Sequence, residues 1–277
     1  MADLEDSAVE LIKRAATRLP DDVKSALQKA YHMERTKTGR MELEAIIENV
    51  RLAENIKSPL CQDTGAIVFY VTVGDKFDSA ADVSKALRSA VRRATLEVPL
   101  RSNVVDPFSR KNTGDNVGVG MPIINWSIAS GNFLELTVFL KGAGSENMCA
   151  LAMLHPTEGI VGVKKFVTDA VVRAGGQPCP PTIVGVGIGG SAEFALNLAE
   201  KALLRPINRR NREKRIAKLE NELLYSINAT GIGPMGLGGR FTALGVNVEY
   251  AYCHTASLPV AVNIGCWCNR RATLRIK

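Results

Sequence analysis

Three segments of the chain place a cysteine among residues that could use it for metal chemistry. In residues 58–65, SPLCQDTG, Cys61 stands two positions before Asp63, so a thiolate ligand would lie beside a proton-transfer group. Pro59 and Gly65 bracket a turn ahead of an apolar run, and loops held beside rigid structure often carry function. A buried cysteine next to an aspartate that caps its own turn is the structural alternative. This segment alone leaves both interpretations open.

The second segment surrounds a cysteine with prolines. Cys179 lies in the sequence QPCPP, between Pro178 and the pair Pro180 and Pro181. Proline fixes its own backbone, restricts the residue before it and removes an amide donor. A buried structural cysteine does not need such rigidity, whereas a ligand whose thiolate must be aimed does. The sequence therefore favours Cys179 as a metal ligand.

The third segment holds a histidine and a close pair of cysteines. Cys266 and Cys268 would point to the same side of a strand, so periodicity leaves open which of them could be a ligand. His254 is one of only three histidines in the chain. Histidine suits proton transfer or substrate binding near neutral pH, although a lone histidine is more often structural.

Two glycine motifs and one arginine complete the candidates. Residues 141–147, KGAGSEN, place two glycines ahead of polar side chains, so the backbone could approach a ligand closely. Arg101 could bind a carboxylate as a fork, with an ordinary surface arginine as the alternative. Gly185, Gly187 and Gly190 satisfy G-x-G-x-x-G, but the motif spans a predicted strand instead of opening a helix. A dinucleotide site is therefore disfavoured.

Composition limits the possible classes of protein. The 277 residues are 46% hydrophobic and 23% charged, as in an ordinary soluble protein, and six cysteines are too few for a disulfide scaffold. The N-terminus lacks the apolar region of a signal peptide, and no apolar run reaches the roughly 18 to 20 residues of a membrane span. We therefore expect a cytoplasmic protein in a reducing compartment.

The net charge of +7 raises the question of nucleic-acid binding. Much of the excess lies in residues 205–218, and only 5% of all residues are aromatic, which gives little support for base stacking. A solvated helix face or a subunit contact accounts for the run better than nucleic acid does. A basic balance also suits small anionic substrates.

The pattern of elements predicts an α+β (mixed α/β) fold. Helical apolar spacing dominates up to about residue 57, and a strand is predicted at 67–73. Runs 121–128 and 133–140 flank a turn and predict an antiparallel hairpin. Residues 145–154 are predicted as a short helix. The remaining strands and helices interleave, with a buried strand at 183–189.

Taken together, these segments resemble the α-half of class I fumarases and of the related L-tartrate dehydratase. The resemblance implies one domain of that type over residues 1–277, and its motifs run from about residue 40 to the C-terminus. The matching segments are SPLCQDTG (58–65), LRSNVVDP (100–107), KGAGSEN (141–147), CPPTIVGVGIGGSAE (179–193) and HTASLPVAVNIGCWCNRRAT (254–273).

The resemblance implies a [4Fe–4S] cluster held by three cysteines, with one iron left open to act as a Lewis acid on substrate. By position, the ligands are Cys61, Cys179 and Cys266, and the other three cysteines are structural. Arg101 would neutralise a substrate carboxylate and stabilise the charge that forms when the C3 proton leaves. The implied substrate-binding residues are Gln62, Asp63, Arg101, Gly144 and His254, of which Asp63 and His254 are the catalytic candidates.

The implied activity is hydration of fumarate to (S)-malate, with dehydration of L-tartrate to oxaloacetate as the alternative. In single-chain relatives a second half adds arginines, a lysine and a threonine to the site, whereas this chain ends eleven residues after Cys266. We therefore expect a separate β-subunit, an α2β2 assembly and an active site at the α–β interface. The general base could lie on that partner.

Overall fold

The computed structural model describes residues 2–77 and 80–276, so Met1, Asp78, Ser79 and Lys277 of the predicted domain lie outside it. The α+β prediction is confirmed. No helix in these ranges is long and apolar enough to cross a membrane. The helices are α1 (Ala2–Thr17), α2 (Asp21–Met33), α3 (Lys37–Ile56), α4 (Ala80–Glu97), α5 (Ala143–Glu146), α6 (Gly159–Ala174), α7 (Ala192–Ala202) and α8 (Lys214–Ala229). The strands are β1 (Ala66–Gly74), β2 (Ile123–Ala129), β3 (Leu134–Lys141), β4 (Ala150–Leu154), β5 (Thr182–Gly190), β6 (Ala243–Cys253), β7 (Leu258–Gly265) and β8 (Arg270–Ile276).

The chain folds into two compact units, each built from separate stretches of sequence. The first unit takes Met1–Pro20, Asn49–Ala143 and Arg270–Lys277, and the second takes Asp21–Glu48 and Gly144–Asn269. One domain of the fumarase α type over residues 1–277 stays a prediction.

The first unit has a four-stranded sheet in the order β2-β1-β3-β8, with α1 and α4 packed together and α1 against β3 and β8. The apolar face of α1 is buried, as its helical spacing predicts: Leu11 is 3% and Ile12 0% exposed. Alternate residues of β1, including Phe69 and Val71, enter the same core. This core fixes the ends of the loops on both sides of β1.

The predicted hairpin of runs 121–128 and 133–140 is wrong. β1 lies between the two strands, parallel to β2 and antiparallel to β3. Adjacent residues of β1, Val68 and Phe69, are both buried, as in a central strand. β2 is the exposed edge, where Ile128 is 83% exposed. The turn residues predicted a chain reversal but carried no information about which strands pair.

The second unit has a sheet in the order β4-β7-β5-β6. Helices α6 and α8 pack together against one face, where Val184, Val186 and Val262 are fully buried. Helix α7 packs against β5 and β7 with its alanines, including Ala195 and Ala199. The buried run predicted at 183–189 is therefore the centre of a two-sided layer.

The predicted helix at 145–154 is also wrong. Helix α5 ends at Glu146, and Ala150–Leu154 is strand β4, which pairs antiparallel with β7. Ala150 and Leu154 pack towards the core, whereas Leu151 and Met153 are exposed. Pairing with β7 thus overrides the helix propensity of a segment rich in Ala, Leu and Met.

The G-x-G-x-x-G motif serves the contact between β5 and α7. A Cβ at Gly185 would overlap the carbonyl oxygen of Ala199, and one at Gly187 would overlap that of Ala195. Glycine therefore lets the helix backbone approach the strand closely. This contact accounts for the glycine spacing without a nucleotide.

We expect Gly187→Ala to lower the free energy of unfolding by roughly 2–3 kcal/mol, because the added methyl group forces α7 away from β5. Gly118→Ala is the control, since its Cβ would meet Val104 at an ordinary 3.5 Å. Urea denaturation of both variants measures the effect. Equal stability of the Gly187 variant and the control would contradict the close-packing account.

Glu34 is a buried carboxylate, 4% exposed, at the junction of α2 and α3. Its Oε1 accepts the backbone N–H groups of Arg35 (2.8 Å) and Thr36 (3.0 Å), and its Oε2 accepts that of Arg240 (2.8 Å). Burial raises the pKa of Glu34, but these hydrogen bonds outweigh it and hold the pKa below its ordinary value of 4.5.

The lowered pKa of Glu34 predicts a pH-dependent contribution to stability. A carboxyl whose folded pKa is depressed stabilises the fold above its unfolded pKa and loses that contribution as pH falls through the folded pKa. Thus the difference in unfolding free energy between wild type and Glu34→Gln should be largest near neutral pH and shrink below 4.5. Denaturation series from pH 7 to about 3 test this sign. A difference that stays constant would refute it.

Candidate functional site

The Cys61 segment connects α3 to β1 in the first unit, and its backbone is anchored just before the cysteine. The N–H of Leu60 donates to Ala16 O (2.8 Å), and Leu60 O accepts from Asn49 Nδ2 (3.0 Å). Cys61 is half-buried and Gln62 is exposed. The thiol is thus carried by a held backbone and remains partly accessible.

Asp63 joins several segments of the first unit. Its Oδ1 accepts Gly65 N–H (2.8 Å) and Asn103 Nδ2–H (2.7 Å), and its Oδ2 accepts Ala143 N–H (2.8 Å). Its backbone oxygen accepts Arg270 Nη1–H (2.6 Å). The local turn cap that the sequence offered as a structural alternative is therefore present, together with three long-range hydrogen bonds.

These hydrogen bonds favour a positioning role for Asp63. Both of its carboxylate oxygens already accept N–H groups of the protein. Gly142 packs against the same carboxylate, since a Cβ there would lie 2.9 Å from Asp63 Oδ2. Asp63 thus holds the start of the KGAGSEN segment beside its own turn.

The backbone of Arg101 is held by Asn116, a residue that the sequence did not single out, and Asn116 also holds the backbone of Asn103. Asn116 is 1% exposed; its Nδ2 donates to Arg101 O (3.2 Å), and its Oδ1 accepts Asn103 N–H (2.8 Å). Asn103 in turn binds Asp63. The Arg101 side chain is exposed and forms no hydrogen bond or ion pair within residues 2–77 and 80–276. Its guanidinium is therefore available to a ligand.

The backbone of Asn116 has an unusual conformation. Its φ is +60°, a region that non-glycine residues rarely adopt and in which Asn is enriched. In the sequence it stands between Asp115 and Val117, in a stretch with turn composition. Nothing in that composition indicated its hydrogen bonds to residues 13 and 15 positions away.

Cys179, in the second unit, has a strained backbone that is held on both sides. Its φ is +53°, and its N–H donates to Gly176 O (3.1 Å). Its carbonyl accepts Trp267 N–H (3.3 Å), and the next carbonyl, of Pro180, accepts Met235 N–H (2.8 Å). Strain of this kind persists only where surrounding structure fixes it, and it clusters at functional sites.

The Cys266 segment lies beside Cys179 because Trp267 forms this hydrogen bond. Cys266 and Cys268 stand between β7 and β8, not in a strand, so the expectation that both point to one side does not apply. Cys268 is 3% exposed, whereas Cys266 is half-buried and its Sγ donates to Cys268 O (3.5 Å). Accessibility therefore favours Cys266 over Cys268 as a ligand.

Gly144 packs directly on the Cys179 segment. A Cβ at Gly144 would lie 2.9 Å from Gln177 O, so the close approach at this glycine is to the protein backbone. Its predicted approach to a ligand stays a prediction. A larger residue at position 144 would displace Gln177 and, through it, the backbone that leads to Cys179.

His254 lies in the turn between β6 and β7. Its Nδ1 accepts Ala256 N–H (3.2 Å), and its carbonyl accepts Ser257 N–H (3.0 Å). In the neutral ring the proton is therefore on Nε2. The side chain is exposed, so Nε2–H can donate to a ligand.

The basic run at 205–218 is partly engaged within the second unit. Arg205 pairs with the fully buried Glu220 and with Glu249 (2.9 Å). The end of the run opens α8, where Lys218 is solvated. The arrangement agrees with the prediction of a solvated helix face for that part.

The predicted ligands divide between the units: Cys61 belongs to the first, and Cys179 and Cys266 belong to the second. In the described ranges, no three His, Cys, Asp or Glu side chains form a site for one metal ion. Such a site needs ligands about 2.0–2.3 Å from a common centre. Thiolates of an iron–sulfur cluster instead bind different irons. Half-buried cysteines on held backbones suit that chemistry.

Comparison with known proteins identifies the family. The family model described as Fumarate hydratase (Fumerase) matches residues 5–275. A Methanocaldococcus jannaschii protein provisionally named L(+)-tartrate dehydratase subunit alpha is 51% identical over 99% of this chain and 98% of its own length. The L(+)-tartrate dehydratase subunit alpha of Escherichia coli strain UTI89 is 40% identical over 94% of this chain and 86% of its own length. The resemblance is confirmed, and the chain belongs to the fumarate hydratase (Fumerase) family of hydro-lyases.

Proposed function

We propose that this chain is the α-subunit of a hydro-lyase that interconverts fumarate and (S)-malate, with a [4Fe–4S] cluster on Cys61, Cys179 and Cys266. The observation that carries the cluster proposal is the hydrogen bond from Trp267 to the strained residue Cys179, since it brings two of the three cysteine segments together. The match to the fumarate hydratase family over residues 5–275 supports the reaction class.

When bound, the cluster supplies a Lewis acid for a hydroxyl and a carboxylate of the substrate. Arg101 binds a substrate carboxylate through its guanidinium fork and stabilises the negative charge that develops as the C3 proton leaves. Asn116 holds the backbone of both Arg101 and Asn103, and Asp63 anchors the Asn103 side chain. Holding an arginine in place before substrate arrives lowers the cost of ordering it.

The other predicted residues bind and orient the substrate. His254 donates from Nε2, and the exposed Gln62 amide offers both a donor and an acceptor. Gly144 permits close approach of the backbone. Because Asp63 is committed to N–H donors, we assign it a positioning role and expect the general base on the partner subunit.

The buried Asn116 provides a test of how Arg101 is held. We expect Asn116→Ala to raise KM for the dicarboxylate about tenfold, since small displacements of a positioning group are costly. Steady-state kinetics of the variant in the full complex measure this. Val119→Ala, a change at a fully exposed nearby residue, should leave KM unchanged. An unchanged KM in the Asn116 variant would disprove the positioning role.

L-tartrate is the second candidate substrate, favoured by the names of the relatives. Tartrate carries one hydroxyl more than malate, and a site that hydrogen-bonds this group rejects the analogue without it strongly. Residues that make this choice could belong to the partner subunit. Values of kcat/KM for (S)-malate and L-tartrate, measured on one preparation of the complex, decide between the two.

The relatives are named as alpha subunits, which supports a β-subunit partner for this chain. We propose an α2β2 assembly in the cytoplasm, where a reducing compartment protects thiolates and cluster. Co-expression with the partner gene and mass measurement of the complex test the assembly. Full hydro-lyase activity of this chain alone would contradict it.

A further inference from the structure

We propose that Glu34 is a positioning residue for Cys179 and acts through a glycine-rich strap, residues 231–241. The inference rests on the proposed role of Cys179 as a cluster ligand. Glu34 lies outside every motif of the family resemblance and is nearly 150 residues from the cysteine in sequence. All residues of this connection belong to the second unit.

The connection begins with the hydrogen bonds that Glu34 accepts from the C-terminal end of the strap. Glu34 Oε2 accepts the N–H groups of Arg240 (2.8 Å) and Phe241 (3.3 Å). Gly239 has a φ of +139°, and a Cβ there would lie 2.9 Å from the same oxygen. The carboxylate is thus packed against three consecutive residues of the strap backbone. Because Oε1 is held by Arg35 and Thr36, the carboxylate cannot turn away.

The second step is the compact fold of the strap. Gly238 N–H donates to Ile232 O (2.8 Å), and Gly233 N–H donates to Thr242 Oγ1 (3.1 Å). A Cβ at Gly233 would overlap the backbone of Gly238, so the two arms of the strap touch. Displacement at its Glu34 end is therefore passed to residues 233–236.

The third step is the contact of the strap with both flanks of Cys179. Met235 has a φ of +51°, and its N–H donates to Pro180 O (2.8 Å) on one flank. On the other flank, a Cβ at Gly236 would lie 2.6 Å from Gly176 Cα. The strap thus fixes the residue after the cysteine and the residue whose carbonyl accepts the Cys179 N–H.

These contacts hold the backbone of Cys179 in its strained conformation. A non-glycine residue at a φ of +53° is strained and relaxes unless its surroundings fix it. No side chain of residues 231–241 needs to touch the thiol for the strap to control its direction. Weakening the hydrogen bonds of Glu34 to the strap should therefore loosen the backbone of Cys179 specifically.

The test compares Glu34→Gln with Asp22→Asn. Both changes remove a carboxylate that accepts a backbone N–H from a distant segment, since Asp22 Oδ2 accepts Ile207 N–H (2.9 Å). Native cluster-free protein is treated with iodoacetamide, and alkylation rates are read for each cysteine by mass spectrometry. We expect Glu34→Gln to raise the Cys179 rate about tenfold, because the strained backbone that directs the thiol is then no longer held. Cys253 should not change, and Asp22→Asn should leave both rates within about twofold of wild type.

A second readout uses the αβ holoenzyme. Iron should leave Glu34→Gln for a chelator several-fold faster than wild type or Asp22→Asn, and the visible spectrum of the bound cluster should change. A Cys179 alkylation rate within twofold of wild type in Glu34→Gln would overturn the proposal. If Glu34→Gln does not fold, Gly236→Ala perturbs the other end of the strap, with the same expected and contrary outcomes at Cys179.

The two experiments distinguish a failure of the proposed cluster from a failure of the positioning role of Glu34. Alkylation of cluster-free protein does not require that a cluster ever binds. A wild-type complex without iron would refute the cluster, whereas altered Cys179 reactivity in Glu34→Gln would still support positioning.

Discussion

Cys179→Ser is expected to remove the cluster and to lower hydro-lyase activity of the αβ complex more than about a hundredfold, beyond the usual effect of changing a residue that only supports a ligand. A serine hydroxyl is a hard, protonated group at neutral pH and does not replace a soft thiolate on iron. Serine has nearly the shape of cysteine, so we expect residue 179 to keep its φ of +53° and the change to act at the sulfur atom alone. Iron content and steady-state activity of the anaerobically prepared complex measure the result.

Two matched controls accompany this prediction. Cys149→Ser and Cys253→Ser make the same chemical change at a half-buried and an exposed cysteine outside the predicted ligand set. Both should retain iron and activity close to wild type. If Cys179→Ser also retains them, the assignment of Cys179 as a ligand is wrong.

Arg101→Lys is expected to lower kcat/KM for the dicarboxylate about a hundredfold, which corresponds to roughly 2.7 kcal/mol of transition-state stabilisation. Lysine keeps the positive charge but cannot form the bidentate fork on a carboxylate. The backbone of residue 101 stays anchored by Asn116. The loss should therefore come from the guanidinium alone.

Arg110→Lys is the control, because it makes the same change from guanidinium to ammonium outside the proposed site. Arg110 is exposed on the same connection between α4 and β2, and its side chain has no assigned part in the site. We expect kinetics within about twofold of wild type, as for most surface changes. If Arg101→Lys and Arg110→Lys have equal kinetic parameters, the assignment of Arg101 to the substrate site is wrong.

Local chemistry in the sequence predicted the rigidity of the Cys179 segment. Prolines on both sides indicated a constrained backbone, and the structure holds Cys179 at a positive φ with hydrogen bonds on both flanks. Residue spacing left the choice between Cys266 and Cys268 open, because the observation that favours Cys266 is its greater exposure. A periodicity argument needs a strand, and these residues lie between strands.

Long-range pairings account for what the sequence did not predict. The insertion of β1 between β2 and β3, and the pairing of residues 150–154 with β7, depend on partners distant in the chain. The hydrogen bonds of Asp63 to Asn103 and of Glu34 to Arg240 span 40 and 206 residues. Composition and spacing carry no trace of such contacts, although both carboxylates hold segments around the proposed ligands.

The most direct test of the account is the iron and acid-labile sulfide content of the wild-type chain, co-expressed with its partner and purified without oxygen. We expect a brown complex with broad absorption at about 400 nm, as for a cysteine-ligated iron–sulfur cluster. We also expect equal amounts of iron and sulfide, four of each per α-chain, and bleaching in air. A colourless, iron-free complex that still catalyses the reaction would contradict it.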